Sequence, residues 1–222
     1  MFDPDTLALA WPYLSAALVA GYLLGSVPFG LVLARMAGYG DIRKIGSGSI
    51  GATNVLRTGN KPIALATLLL DSGKGAIAVL VLRAVWGPDA ALVAGFGALL
   101  GHLFPVWLGF KGGKGVATVL GTLLAIAWPI GLAACATWLL VALVFRYSSL
   151  ASLVAVAAAP FHAWYLPRLW APGAEMGGDL QLAGFAAAVA VLVWIKHESN
   201  IRRLLAGTEP KIGQKKPAQT KG

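Results

Sequence analysis

The feature that most constrains this chain is the length of its uncharged apolar stretches. Residues 6–34 contain no Asp, Glu, Lys or Arg. A helix rises about 1.5 Å per residue, so this stretch is longer than the ~30 Å hydrocarbon core of a membrane. Further apolar segments leave no separate soluble domain, and they cover residues 62–86, 90–110, 115–145, 147–167 and 180–195. We therefore expect a single all-α integral membrane domain over residues 1–222.

Composition supports this class. Apolar residues make up 58% of the chain and charged residues 12%, with a mean hydropathy of +0.74. An ordinary soluble domain has roughly 45–50% and about 25%. The net charge of +9 does not predict a nucleic-acid partner, because the Lys and Arg residues lie between apolar segments instead of forming one basic face. The N-terminus carries Asp3 and Asp5 but no base before Arg35, which predicts a retained first helix instead of a cleaved signal peptide.

The fourth apolar stretch, 115–145, decides the topology. As one helix it would measure about 46 Å, and the run Trp-Pro-Ile-Gly at 128–131 predicts a break near its middle. With a hairpin there, the chain has seven spans, an outer N-terminus and a cytoplasmic C-terminus. Only Arg83 and Arg168 then lie outside, and Lys74 lies in the membrane. Fifteen bases face the cytoplasm: Arg35, Arg43, Lys44, Arg57, Lys61, Lys111, Lys114, Arg146, Lys196, Arg202, Arg203, Lys211, Lys215, Lys216 and Lys221.

A single span at 115–145 would instead divide the bases almost evenly between the two sides. The positive-inside rule therefore favours the hairpin. This topology places every glycine-rich or basic loop on the cytoplasmic side. Residues 206–222 are polar and rich in lysine, which predicts a mobile basic tail.

The first of these loops, 46–57, reads GSGSIGATNVLR. It matches the dinucleotide string G-x-G-x-x-G, but it lacks the strand and βαβ unit that this fingerprint requires. Its glycines can still admit an anion close to backbone N–H groups, with hydroxyls and Arg57 as further donors. A merely flexible loop is the alternative.

The second loop contains Lys111 to Gly115, with the sequence KGGKG. It is not a Walker A motif, because Gly115 replaces the hydroxyl residue that would hold magnesium. Two lysines among three glycines at a helix start predict a compact anion pocket made from unpaired N–H groups and ammonium charge. An ordinary basic membrane flank would explain the lysines but not the glycines.

The third segment, 197–209, reads HESNIRRLLAGTE. On a helix His197, Asn200 and Arg203 share one polar face at the membrane exit. The alternative is that these groups are solvated, with Glu198 and Glu209 as solvated partners of the arginines.

Smaller features accompany these loops. Asp71 and Lys74 lie at membrane depth, where charge is costly unless it is paired and faces the bundle interior, so they are either functional or a structural ion pair. The stretch 25–30 bends the first helix. The glycine pairs 21/25 and 97/101 predict close helix packing. No histidine or cysteine spacing suggests a metal site.

Taken together, the three segments resemble the PlsY family of bacterial acyl-phosphate:glycerol-3-phosphate acyltransferases. Residues 47–57, 101–118 and 197–209 are similar to its three motifs, with 25–30 and 71–75 as supporting signatures. The family pattern usually has Asn where this chain has Ser49. The resemblance implies transfer of an acyl group from acyl phosphate to the 1-hydroxyl of sn-glycerol 3-phosphate, which yields lysophosphatidic acid and phosphate for phospholipid synthesis.

The resemblance also implies a multi-pass protein of the bacterial inner membrane with a cytoplasmic active site and no cofactor or metal. Its substrates are acyl phosphate and glycerol 3-phosphate, and a soluble enzyme that makes acyl phosphate is a further candidate partner. The expected catalytic residues are Lys114, Lys111, His197 and Ser47. The expected substrate-binding residues are Ser26, Thr53, Asn54, Arg57, Gly112, Gly113, Gly115, Ser148, Ser149, Asn200 and Arg203.

Within this set, the glycine-rich loops and lysines are assigned to acyl phosphate, and Arg57 with the third segment to glycerol 3-phosphate. No His-x-x-x-x-Asp pair is present, so the base used by soluble acyltransferases of this step is not available. The resemblance implies instead that a substrate phosphate accepts the hydroxyl proton. The alternative function is a small-anion transporter that uses Asp71 and Lys74 as its pathway.

Overall fold

A computed structural model describes residues 4–170 and 177–214, with side chains described for 10–167 and 180–214. Within these ranges the chain is all helical, which confirms the expected class. Two short 3-10 turns, Ile42–Lys44 and Val106–Leu108, accompany nine α-helices: α1 (Pro4–Gly25), α2 (Phe29–Met36), α3 (Ala52–Leu56), α4 (Lys61–Leu103), α5 (Val116–Ile126), α6 (Trp128–Phe145), α7 (Ser148–Trp170), α8 (Gly177–Lys196) and α9 (Glu198–Leu205).

The first apolar stretch is bent where the sequence predicts it. Helix α1 ends at Gly25 and α2 begins at Phe29, because Pro28 has no N–H group with which to continue the helix. The apolar stretch as a whole covers Ala10–Met36.

Helix α4 consists of two helices that meet at a kink. Gly87 has φ 85° and ψ −172°, a conformation open to glycine, and Pro88 follows it. The second half ends at Leu103, seven residues before the end predicted at 110. Pro105 explains the difference, since a helix ends at or before the residue preceding a proline.

The fourth apolar stretch is divided into α5 and α6. Ala127 is extended (φ −150°, ψ 91°), and Pro129 lies in the first turn of α6, where proline is favoured. The two helices pack closely against each other after this break. A Cβ added to Gly131 would lie only 2.5 Å from the backbone of Leu124. The predicted break is confirmed, one residue earlier than expected.

Glycines bring α1 and the second half of α4 into backbone contact. A Cβ on Gly21 would lie 2.1 Å from the Ala94 carbonyl oxygen, and one on Gly25 2.1 Å from that of Ala98. Gly21 faces Ala94 and Gly25, one turn later, faces Ala98, so these two helices run in the same direction. The predicted packing role of the glycine pairs is confirmed.

Helix α5 runs parallel to the first half of α4. Gly75 faces Thr118, and Arg83 donates from Nη1 to the Ile126 carbonyl oxygen at 3.4 Å. Hydrogen bonds from tryptophan N–H groups join α7 to its two neighbours. Trp138 of α6 donates to the Ser152 hydroxyl, and Trp194 of α8 donates to the Leu153 carbonyl.

Four helical stretches have the length and apolarity to cross a membrane: Ala10–Met36, Lys61–Leu108, Trp128–Phe145 and Ser148–Pro167. The helices Leu180–Lys196 and Glu198–Leu205 are bent by 66° and count as a fifth only if the two belong to one span, and Val116–Ile126 is a shorter apolar helix. Much of the buried core is alanine, while large side chains such as Leu140 (65% exposed) and Leu143 (69%) face outward. This distribution suits a bundle surrounded by lipid.

The first part of the tail, residues 206–214, is bonded to a distant loop. Ile212 donates its N–H to the Arg146 carbonyl at 2.7 Å, and Arg146 donates from Nη2 to the Ile212 carbonyl at 3.2 Å. A polar composition does not reveal these backbone bonds to a distant loop, and the mobility of the tail stays a prediction. Residues 215–222, like Arg168 and the N-terminal Asp3, lie outside the described side chains.

Candidate active site

Asn54 organises the first loop. Its Nδ2 donates to the carbonyls of Ile42 and Ser49, both at 2.8 Å, and its Oδ1 accepts from the Ser47 N–H and from Arg57 Nη1, both at 3.1 Å. The side chain is 1% exposed. Asn54 was expected to bind substrate, but its amide is fully engaged inside the loop. Its role is to hold Ser47 and Arg57 in place.

The second loop folds back onto the end of α4. The Gly112 N–H donates to the Leu103 carbonyl at 3.2 Å, and the Gly113 N–H donates to the His102 carbonyl at 3.0 Å. The expectation that these two amides are unpaired anion donors is therefore wrong. Glycine is required for contact instead, because a Cβ on Gly112 would lie 2.1 Å from the His102 carbonyl oxygen.

The two lysines of this loop differ in their surroundings. Lys111 is exposed, whereas Lys114 is half-buried at the start of α5. Burial lowers the pKa of Lys114 to about 8, with Glu209 opposing the decrease and the positive charges of Arg203 and Arg57 adding to it. Within the described ranges no hydrogen bond or ion pair engages the Lys114 ammonium. Its charge is therefore free to meet an anion.

His197 lies at the bend between α8 and α9 and is 2% exposed. Its Nδ1 is 2.8 Å from the Val193 carbonyl oxygen. Since a carbonyl can only accept, Nδ1 carries the proton, and in the neutral ring Nε2 is left as an acceptor. Burial lowers the pKa of His197 to about 4, so the ring is neutral at pH 7.

Glu209 joins the third segment to α7. Its carboxylate accepts from Ser149 Oγ at 2.7 Å, from Asn200 Nδ2 at 2.6 Å and from Arg203 Nε at 2.6 Å. Burial opposes its ionisation, yet these hydrogen bonds outweigh it and hold the pKa of Glu209 below the ordinary value. At 8% exposed, Glu209 is not the solvated partner that the sequence allowed.

Glu198 does match that solvated interpretation, since it is 68% exposed and pairs with Arg202. The sequence feature that distinguishes Glu209 from Glu198 is the nearby glycine, Gly207. Its positive φ of 66° turns the chain so that the N–H groups of Thr208 and Glu209 bond to the Arg203 carbonyl.

The three segments meet at one end of the bundle. Thr53 Oγ1 lies 3.3 Å from Ser148 Oγ, which joins the first loop to the start of α7. Ser149 and Glu209 join α7 to the third segment, and the charges of Arg57 and Arg203 act on Lys114 of the second loop.

Ser26 is a predicted site residue whose hydroxyl is already engaged inside its own helix. It is 0% exposed, and its hydroxyl donates to the Tyr22 carbonyl at 2.7 Å inside α1. The bend at Pro28 does not expose this hydroxyl, and substrate binding by Ser26 stays a prediction. In the described part of the chain, no three His, Cys, Asp or Glu residues gather in a group that could hold a metal ion.

Comparison with known proteins identifies the family. The family model described as glycerol-3-phosphate acyltransferase matches residues 15–207. The chain belongs to the glycerol-3-phosphate acyltransferase family. Membership confirms the expected acyltransferase class and does not favour the anion-transport alternative.

Relatives in this family are similar over most of their length. The glycerol-3-phosphate acyltransferase of Rhodospirillum rubrum is 61% identical over 226 residues, which covers 98% of this chain and 99% of the relative. That of Cereibacter sphaeroides is 64% identical over 197 residues, which covers 89% and 92%.

Solved structures of the family share the fold. The crystal structure of PlsY (YgiH), an integral membrane glycerol 3-phosphate acyltransferase, in its glycerol 3-phosphate form has a TM-score of 0.79 at 37% identity and covers 90% of this chain and 96% of its own. Its lysophosphatidic acid form has a TM-score of 0.77 at 36% identity, with coverages of 90% and 95%. The resemblance to PlsY is thus confirmed, and with its apolar helices the chain is an integral membrane protein.

Proposed function

We propose that this chain transfers an acyl group from acyl phosphate to the 1-hydroxyl of sn-glycerol 3-phosphate, giving lysophosphatidic acid and inorganic phosphate. The observation that carries the proposal is a set of three cations, Arg57, Lys114 and Arg203, gathered beside His197 at one end of an apolar helical bundle. Two phosphate-bearing substrates need such a site. The family relatives, and the glycerol 3-phosphate form of one of them, supply the acceptor.

Glycerol 3-phosphate is assigned to the third segment and its neighbours. Arg57 and Arg203 offer guanidinium groups to its phosphate, and Asn200 of α9 adds an amide group. Ser148 and Ser149, at the start of α7, are in place to hold its hydroxyls. Glu209 holds these residues together, because its carboxylate accepts hydrogen bonds from Ser149, Asn200 and Arg203 at once.

Acyl phosphate is assigned to the second loop and the hydroxyls of the first. Lys114 is the main cation, Lys111 is an exposed outer one, and Ser47 and Thr53 add hydroxyl donors. Gly112, Gly113 and Gly115 shape the loop. Gly115, with φ 81°, makes the turn into α5 directly after Lys114.

The chemistry needs positioning more than activation, because acyl phosphate is already an activated donor. The 1-hydroxyl oxygen attacks the acyl carbon, the bond from that carbon to the phosphate oxygen breaks, and phosphate leaves. The hydroxyl proton passes to a phosphate oxygen. Lys114 stabilises negative charge that grows on the departing phosphate.

His197 has a more specific role than its sequence position indicates. Its neutral ring offers Nε2 as an acceptor, so it accepts a hydrogen bond from a hydroxyl of glycerol 3-phosphate. A donor role toward phosphate would require protonation of Nε2, which the pKa of about 4 opposes.

The orientation we propose has seven spans, an outer N-terminus and a cytoplasmic active site in the bacterial inner membrane. Three observations support it: the kink at Gly87, the break at Ala127 and the excess of bases at the end that holds the site. Acyl phosphate then reaches the site from the cytoplasmic side, where a soluble enzyme that makes it is the corresponding partner.

A donor comparison tests the proposed function. The purified full chain, in detergent or nanodiscs, is supplied with glycerol 3-phosphate and, in separate reactions, acyl phosphate, acyl-CoA or acyl carrier protein carrying the same acyl chain. We expect lysophosphatidic acid from acyl phosphate alone. Formation of product only with one of the thioester donors would overturn the donor assignment while leaving the acceptor in place.

A further inference from the structure

Three charged or titratable side chains lie buried between the α1–α2 break and the second loop. Asp71 and Lys74 are each 2% exposed, and His102 is 3% exposed. Lys74 Nζ lies 2.8 Å from Asp71 Oδ1 and also donates to the Val27 carbonyl at 3.0 Å, at the break between α1 and α2. We refer to Asp71, Lys74 and His102 as the buried cluster.

His102 extends the buried cluster toward the second loop. Its Nδ1 lies 3.7 Å from Asp71 Oδ1 and has no hydrogen-bond partner in the described ranges. Its carbonyl accepts the Gly113 N–H at 3.0 Å. Its Nε2 would lie 2.2 Å from a Cβ on Gly113, so the imidazole packs against the bare glycine backbone. The residue after that glycine is Lys114.

A simple ion pair does not account for this arrangement. Buried ion pairs add little net stability, and ionisable residues within a membrane are expensive. Asp71 and Lys74 already neutralise each other, yet a third titratable ring is buried beside them. His102 contacts the loop through both its backbone carbonyl and its ring.

We propose that the buried cluster positions the second loop, with His102 as a positioning residue that acts through Gly113 on Lys114. Asp71 and Lys74 anchor the cluster to the α1–α2 break, and His102 sets the path of the loop above it. This inference rests on the proposed function only in assigning acyl phosphate to Lys114.

A double-mutant cycle tests the coupling. We expect His102→Asn, which shortens the side chain, to lower kcat/KM for acyl phosphate about 10- to 100-fold, because a small misplacement of a binding group has effects of this size. His102→Gln, which restores a polar atom near the Nε2 position, should recover at least about threefold of that loss. In a Lys114→Met background, His102→Asn should change the rate by less than about twofold.

A purely structural role predicts a different result. If His102 only stabilises the bundle, its effect persists in the Lys114→Met background, and the two losses multiply in the double variant. That outcome would overturn the proposal. His162→Asn is the matched control, since His162 lies in α7 away from the second loop, and it should leave kcat/KM within about twofold of wild type.

An activity-independent measurement keeps the inference separate from the proposed function and informative if a variant loses activity by misfolding. Lys114→Cys in a Cys135→Ala background reports the position of the loop through its rate of maleimide labelling. We expect His102→Asn to change that rate by more than about threefold and His162→Asn to leave it unchanged. Equal rates in all three backgrounds would overturn the positioning role, whichever acyl donor the enzyme uses.

Discussion

At the scale of single residues, the role proposed for Lys114 predicts that the activity depends on pH. Its lowered pKa of about 8 means that the ammonium loses its proton as pH rises through this value. We therefore expect kcat/KM for acyl phosphate, which reports on the free enzyme, to fall above about pH 8.

Variants at this position check the assignment. Lys114→Arg keeps its charge over this range, so the alkaline fall should move to higher pH. Lys114→Met should cost about 10- to 150-fold in kcat/KM, the value of a charge-assisted bond in a partly dry site. Lys111→Met serves as the exposed-lysine control, with a smaller loss. An alkaline fall that is identical in wild type and Lys114→Arg would contradict the role of this ammonium.

His197 separates binding from base catalysis. As a hydrogen-bond acceptor for a substrate hydroxyl, it should affect mainly the KM for glycerol 3-phosphate, so His197→Gln should raise that KM while kcat stays within about tenfold. Because the pKa is about 4, we expect no acid limb from this ring in kcat/KM above about pH 5. A fall in kcat beyond about a hundredfold with unchanged KM would instead make His197 the general base.

Residue types could be predicted from the sequence better than residue roles. The spacing predicted one helix face for His197, Asn200 and Arg203. Asn200 and Arg203 both bond Glu209 from α9, whereas His197 lies at the bend before that helix. The roles of Asn54 and Glu209 could not be predicted, because each depends on contacts with distant parts of the chain. Asn54 reaches the carbonyl of Ile42, and Glu209 reaches the hydroxyl of Ser149, sixty residues away.

At the scale of helices, proline and glycine allowed the breaks to be predicted. Pro28 and Pro129 each lie at or next to a predicted break, since proline changes backbone conformation locally. The gap between the apolar segments 62–86 and 90–110 also predicted a break, and the kink at Gly87 lies in it. Helix ends were harder to predict, as the early end of α4 shows. Hydropathy does not distinguish helix from an apolar 3-10 turn such as Val106–Leu108.

The α5–α6 hairpin makes a testable prediction about the membrane. Trp128, 65% exposed at the start of α6, should lie on the periplasmic side, and Lys111 on the cytoplasmic side. In a Cys135→Ala background, a membrane-impermeant maleimide should label Trp128→Cys in right-side-out vesicles and Lys111→Cys only in inverted ones. Labelling of both positions from the same side would rule out the hairpin. Gly131 is unsuitable for this test, because its Cβ would meet Leu124.

At the scale of the whole molecule, the arrangement separates two environments. Apolar helices with small buried residues form the bundle, and the loops with hydroxyls, glycines and cations gather at one end. An acyl chain can then remain among lipids while both phosphates sit among cations. Charge distribution along the sequence was sufficient to predict this division, because the positive-inside rule depends on loop composition alone.

The central claim is direct acyl transfer between two phosphate-bearing substrates, and phosphorus-31 NMR of the purified full chain tests it most directly. With acyl phosphate and glycerol 3-phosphate both present, lysophosphatidic acid and inorganic phosphate should appear in equal amounts as acyl phosphate disappears. Lys114→Met should slow both signals together. Release of inorganic phosphate without lysophosphatidic acid, or at the same rate when glycerol 3-phosphate is omitted, would contradict the account.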